Sequence, residues 1–223
     1  MEMDEKIQHA IENTEVIRPP KQSLATFGTT NINYYLITSL MDRANIVREG
    51  RVIAAKPKIV TPAYLINLEG FSGQARRFFE MMAEQFPREP SIFYSYKNEP
   101  GDMNVISETI EEIVDKINKR IEGSSNPLSA IIKGVEEMWD VSLLKFTYEL
   151  TRKSVFDNVT EMERGGLLNI DKTGIPRDTR LYIEEMFEKA RNDISYASIL
   201  AEELKHWGLF AEYQDRFFSL FKK

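Results

Sequence analysis

Glu203-Leu204-Lys205-His206 sets a carboxylate and an imidazole three residues apart, a spacing that brings both to one side of a helix. A di-metal site in a helical bundle needs that motif twice, with two further glutamates. The only other histidine is His9, and nothing around it repeats the pattern. Glu203 and His206 therefore read as the solvated flank of a helix. A Ser–His–acid triad has no Gly-x-Ser-x-Gly elbow to support it. The paired acids (Glu111/Glu112, Glu136/Glu137, Glu184/Glu185, Glu202/Glu203) point about 100° apart on a helix and do not converge on one bond. The absence of cysteine removes thiolate catalysis, disulfides and Cys-ligated zinc or iron–sulfur centres. No catalytic set, metal site or cofactor motif is legible, and the residues leave open whether the chain is an enzyme.

A second group of residues has the chemistry of anion binding. Gly70-Phe71-Ser72-Gly73 precedes Arg76 and Arg77, so free backbone N–H groups at a helix start would sit beside two guanidinium groups. The segment is neither a Walker A loop nor a dinucleotide fingerprint. Arg48, Arg51, Lys56 and Lys58 lie just upstream, and residues 42–77 hold seven Lys/Arg against three Asp/Glu. That island stands out in a chain with 29 basic and 35 acidic residues and a net charge of −6. The overall acidity argues against general nucleic-acid binding. The acidic N-terminus, MEMDEKIQHA, is the reverse of a signal peptide, and no run of ~18 apolar residues marks a membrane span. A cytoplasmic location, without membrane insertion, is the expectation.

The elements that must position these residues follow from apolar periodicity. Residues 2–14 read as a short helix that Pro19-Pro20 ends. Two hairpins follow: residues 24–27 with 32–38, and 45–48 with 51–55 around a turn at Glu49-Gly50. Further helices are expected from Thr61 to Leu68 and from Ser72 to Phe86. A strand is expected over 91–96, then a turn at Asn98-Glu99-Pro100-Gly101 and a helix after Ser107. From Asn126 to Arg152, Asn-Pro reads as a cap, and Leu128, Ile132, Val135, Trp139, Leu143, Phe146 and Leu150 form one helical stripe. That long helix, apolar on a second side from Val141, is the expected centre of the protein, with Trp139 buried in it. Gly165-Gly166 and Gly208 break the helices that come later.

The fold class read from this pattern is α+β. It has a small antiparallel-rich sheet with helices in the N-terminal half, confined to residues 22–106. The C-terminal half is helical around the long central helix. The parts divide at 1–123 and 124–223, unless they share one core. The last helix carries Phe210, Tyr213, Phe217, Leu220 and Phe221 at the spacing that helix-in-groove recognition uses. The leading functional expectation is thus a protein that binds a protein partner or itself through this stripe. The alternative is an anion-binding enzyme, or a nucleotide or RNA binder, that uses the basic residues of 42–77.

Overall fold

The structure, a computed structural model, describes the backbone of residues 3–41, 44–60, 68–69, 72–74, 77–78, 91–124 and 126–221. The chain divides into two compact units. The first comprises Met1–Lys56, Asn67–Phe86 and Tyr94–Phe156, and the second Pro57–Ile66, Pro87–Phe93 and Asp157–Lys223. The class is α+β, and helices dominate beyond residue 135. Most of the helices expected over 61–68 and 72–86 lie outside the described residues.

The first unit is built on a six-stranded mixed sheet of order β1-β8-β2-β3-β7-β5. Its strands are β1 (Glu15–Arg18), β2 (Thr30–Met41), β3 (Ala44–Ala54), β5 (Leu68–Glu69), β7 (Tyr96–Ile106) and β8 (Ser129–Gly134). The β1–β8, β2–β3 and β3–β7 pairs are antiparallel, whereas β2–β8 and β5–β7 are parallel. Helix α1 (Met3–Glu12) precedes the sheet, and α2 (Ile110–Ser124) covers one face. Ile113, Ile117 and Ile121 of α2 pack there on Ile37, Val47 and Ile131. Thr109 and Glu112 start α2 as a capping box, the backbone N–H of each donating to the other's side chain. Ser107 is not the cap.

Helix α3 (Trp139–Arg164) serves the opposite face. Arg48 of β3 sits 5.2 Å from the Trp139 ring, and Tyr96 of β7 hydrogen-bonds Thr151. Ser142 Oγ lies 2.7 Å from Thr14 Oγ1 and also accepts the Val135 N–H. This close approach explains Gly134, because a Cβ there would stand 2.7 Å from both Cβ and Oγ of Ser142. We expect Gly134→Ala to cost about 1–3 kcal/mol in denaturant unfolding, the usual penalty for overpacking. An unchanged midpoint would show that β8 and α3 have room to separate.

Several sequence expectations are corrected here. The central helix begins at Trp139, not Asn126, and residues 129–134 are a strand, so the sheet is not confined to 22–106 and the chain beyond 124 is not all helical. Asn126 does bond to the backbone, but its Oδ1 accepts the Leu128 N–H as a turn, not as a helix cap. Trp139, at the start of the helix, is only half-buried. Glu49-Gly50 is not a hairpin turn: β3 runs straight through it and pairs with β2 along its whole length. Gly50 is needed because the Tyr34 ring occupies the position of its missing side chain. Likewise β7 continues through residues 98–101, where a turn was expected, with an irregularity in register. Leu68 lies in a short strand.

In the second unit, β4 (Lys58–Val60) pairs with β6 (Ser91–Phe93). Helices α4 (Arg177–Asn192), α5 (Tyr196–His206) and α6 (Phe210–Ser219) enclose a core that includes Tyr182, Phe187, Leu200, Leu204 and Phe217. Asp178 and Thr179 of α4 hold β4 by bonding the Ile59 N–H and carbonyl. Gly208, at φ 67°, ends α5 as expected, and the Leu209 N–H returns to the Leu204 carbonyl.

Candidate functional site

Within the first unit, the basic island does not converge at Arg48 and Arg51. Arg48 and Arg51 stand opposite Leu36 and Asn33 in an unbroken ladder, so they project from opposite faces of the sheet. Arg48 makes a bidentate pair with Glu136 at 2.6 and 2.7 Å, beside Thr38, which also bonds Glu136. The pair is largely shielded from water, and the arginine bonds and Thr38 hold the Glu136 carboxyl below its usual range. Arg51 binds Glu99, directly across on β7, at 2.5 Å. Lys58 belongs to the second unit, where it meets Glu185 at 3.1 Å and lies 3.7 Å from the Tyr182 ring. Lys56 follows β3 and is half-buried. The Ser72 backbone N–H donates to the buried carboxylate of Asp140, an anion the chain itself supplies. Arg77 lies 3.5 Å from Asp4, and Arg76 lies outside the described residues.

The aromatic stripe of α6 turns mainly toward its own unit. Phe217 is 7% exposed, Tyr213 stacks on Phe187 at 5.6 Å, and Phe210 and Leu220 are partly covered. Ion pairs fasten both flanks of the helix to α4, Arg216 to Glu184 and Arg180 to Glu212, each at 2.7 Å. Phe221 and the neighbouring Phe218 remain exposed.

Glu203 departs from its sequence reading. It is fully buried in the second unit, at 0% exposure, and among the described residues neither carboxylate oxygen has a hydrogen-bond partner. The Trp207 indole N–H, one turn on, is also buried and within reach of Glu203, with no full hydrogen bond among the described residues. Burial pushes the Glu203 carboxyl up to about 7, although the nearby Trp207 N–H and Lys58 favour the charged form. The clue lay in its position, beside the Leu200–Leu204 stripe, and neighbouring helices widened that stripe to include it. Among the described residues no three His, Asp or Glu side chains come together where they could hold a metal ion.

An exposed apolar strand edge lies in the first unit, at one end of the sheet. β5 pairs with β7 only at Tyr96 and Lys97, so among the described residues the far edge of Met103–Ile106 has no neighbouring strand. Met103 and Val105 lie opposite Arg48 and Ile46, on the α3 side, and each is 62% exposed. Leu40 and Met41, at the end of β2 where it pairs with Ala44, are also exposed. On the other face, a groove of about 310 Å³ runs between α2 and the β3–β7 pair. Val47, Ile106, Ile113 and Ile117 line it, with the ion pairs Glu49–Arg120 and Glu108–Lys116 alongside. The sequence hid this site because the Asn98–Gly101 turn signal appeared to end the strand. The remaining edge, β1, is short, and its Arg18 is bonded to Asn118 and lies 3.6 Å from Glu122.

No family model matches the chain, and neither a curated protein nor a solved structure matches it. Among the described residues no helix is long and apolar enough to cross a membrane.

Proposed function

We propose that this chain is a cytoplasmic protein-interaction module that takes up an extended polypeptide as an added strand on β7. One observation carries the reading: a strand edge that has no neighbouring strand among the described residues and bears two exposed apolar side chains, Met103 and Val105, in the register of a regular ladder. Natural proteins usually blunt such an edge with charge, proline or a covering element. Here residues 103–106 hold neither charge nor proline. Strand addition draws affinity from main-chain hydrogen bonds and selectivity from alternate side chains. On one face the added strand covers Met103 and Val105. On the other, its side chains reach the mouth of the groove beside α2. The exposed Phe218 and Phe221 of α6 supply a second, smaller apolar surface for a protein partner.

The test is selection of random twelve-residue peptides on sparsely immobilised protein, with copies too far apart to pair. Wild type is expected to recover sequences with apolar residues at alternate positions. The Met103→Lys/Val105→Lys double variant, which changes only exposed side chains, should bind those peptides at least tenfold more weakly. Equal binding by both proteins, or no recovery on wild type, would refute strand addition.

A further inference from the structure

We infer that the strand added to β7 is β7 of a second copy of this chain, related by a two-fold axis through Asn104. The inference rests on the strand-addition reading and names its occupant. In an antiparallel pair, residues directly opposite share a face, so a symmetric pairing must centre on a residue. Centred on Asn104, it sets Met103 against Val105 of the second copy and Val105 against Met103 of the second copy. All four exposed apolar side chains then lie together on the α3 side. The Asn104 side chains meet on the α2 side, where amide groups can bond each other.

Charge favours the same arrangement. The chain is acidic overall, at −6, so a contact that also set carboxylates against each other would add to the repulsion between two copies. Met103–Ile106 contains no charged residue, and the axis at Asn104 puts Asp102 opposite Ile106 of the second copy, not opposite another Asp102. The register irregularity between Arg48 and Gly50, with Pro100 beside it, limits clean pairing to the stretch after Asp102. A short isologous contact of this kind closes on itself as a dimer and cannot propagate as a fibre.

The chain lacks cysteine, which makes the register directly measurable. On the axis, Asn104→Cys brings two thiols into cross-strand position, within the span of about 4.4–6.8 Å between Cα atoms that a disulfide needs. Asp102→Cys, two residues off the axis, leaves its thiols four strand positions apart, about 13 Å, too far to bridge. Under mild oxidation the Asn104→Cys protein should form a covalent dimer at least tenfold faster than the Asp102→Cys protein. Sedimentation equilibrium of the unmodified chain should show a monomer–dimer equilibrium, and Met103→Lys/Val105→Lys should weaken it at least tenfold. A monomer at every concentration, or equal crosslinking of the two cysteine variants, overturns the inference. If the chain is monomeric but still selects peptides in a Met103- and Val105-dependent way, the second copy is excluded and strand addition stands.

Discussion

Replacing Glu203 by glutamine is expected to stabilise the second unit above pH 7 and to remove most of its stability change between about pH 4.5 and 7. In the folded protein, burial raises this carboxyl from its ordinary 4.5 to about 7. The unfolded chain releases the proton at the lower value, so the native state binds it more tightly. Stability from this group is therefore complete below pH 4.5, declines as pH rises and is lost above 7. The shift corresponds to about 3 kcal/mol, at 1.36 kcal/mol per unit. Glutamine keeps the shape and cannot ionise, so urea unfolding at pH 5 and pH 8 should give it nearly equal midpoints. Wild type should be markedly weaker at pH 8. If wild type and variant show the same difference between the two pH values, Glu203 is hydrated in solution and the closed packing around it is wrong.

Phe217→Glu should be the most damaging single change in the α6 stripe. Phe217 is almost wholly buried, with Phe210 and Phe221 rings at 5.4 and 5.6 Å, in the core formed with α4 and α5. Deleting a core phenylalanine costs about 3–5 kcal/mol, and an unpaired buried carboxylate adds to that. Such a loss rivals the whole stability of an ordinary domain, about 5–15 kcal/mol. Circular dichroism should show helix loss, with α4–α6 becoming sensitive to protease. Phe221→Glu, at an exposed position of the same stripe, should leave the fold intact. A folded Phe217→Glu protein with altered self-association would instead restore the stripe as an interaction surface.

The sequence alone settled the class, the amphipathic helices α2, α4, α5 and α6, and the stops at Gly165-Gly166 and Gly208. Those features depend on local periodicity and local capping, which a chain carries wherever it folds. It also determined that α6 has one apolar side. It could not say what that side meets, because a stripe that docks on α4 looks the same as one that awaits a partner. Residues 129–134 show the same limit in the backbone. Ser129–Ile132 is buried on both sides between β1 and β2, so it lacks the alternation that marks a half-exposed strand, and its apolar residues also fit a helical stripe. Only the pairing with distant β2 selects the strand. Gly50 and Pro100-Gly101 read as turns because glycine and proline usually are, yet one makes room for the Tyr34 ring and the other sits beside an irregularity in register. Glu203 reads as solvated until the second unit folds around it. The edge of β7 that is open among the described residues is likewise a tertiary fact, since it depends on where β5 stops pairing, and no residue in Met103–Ile106 records that.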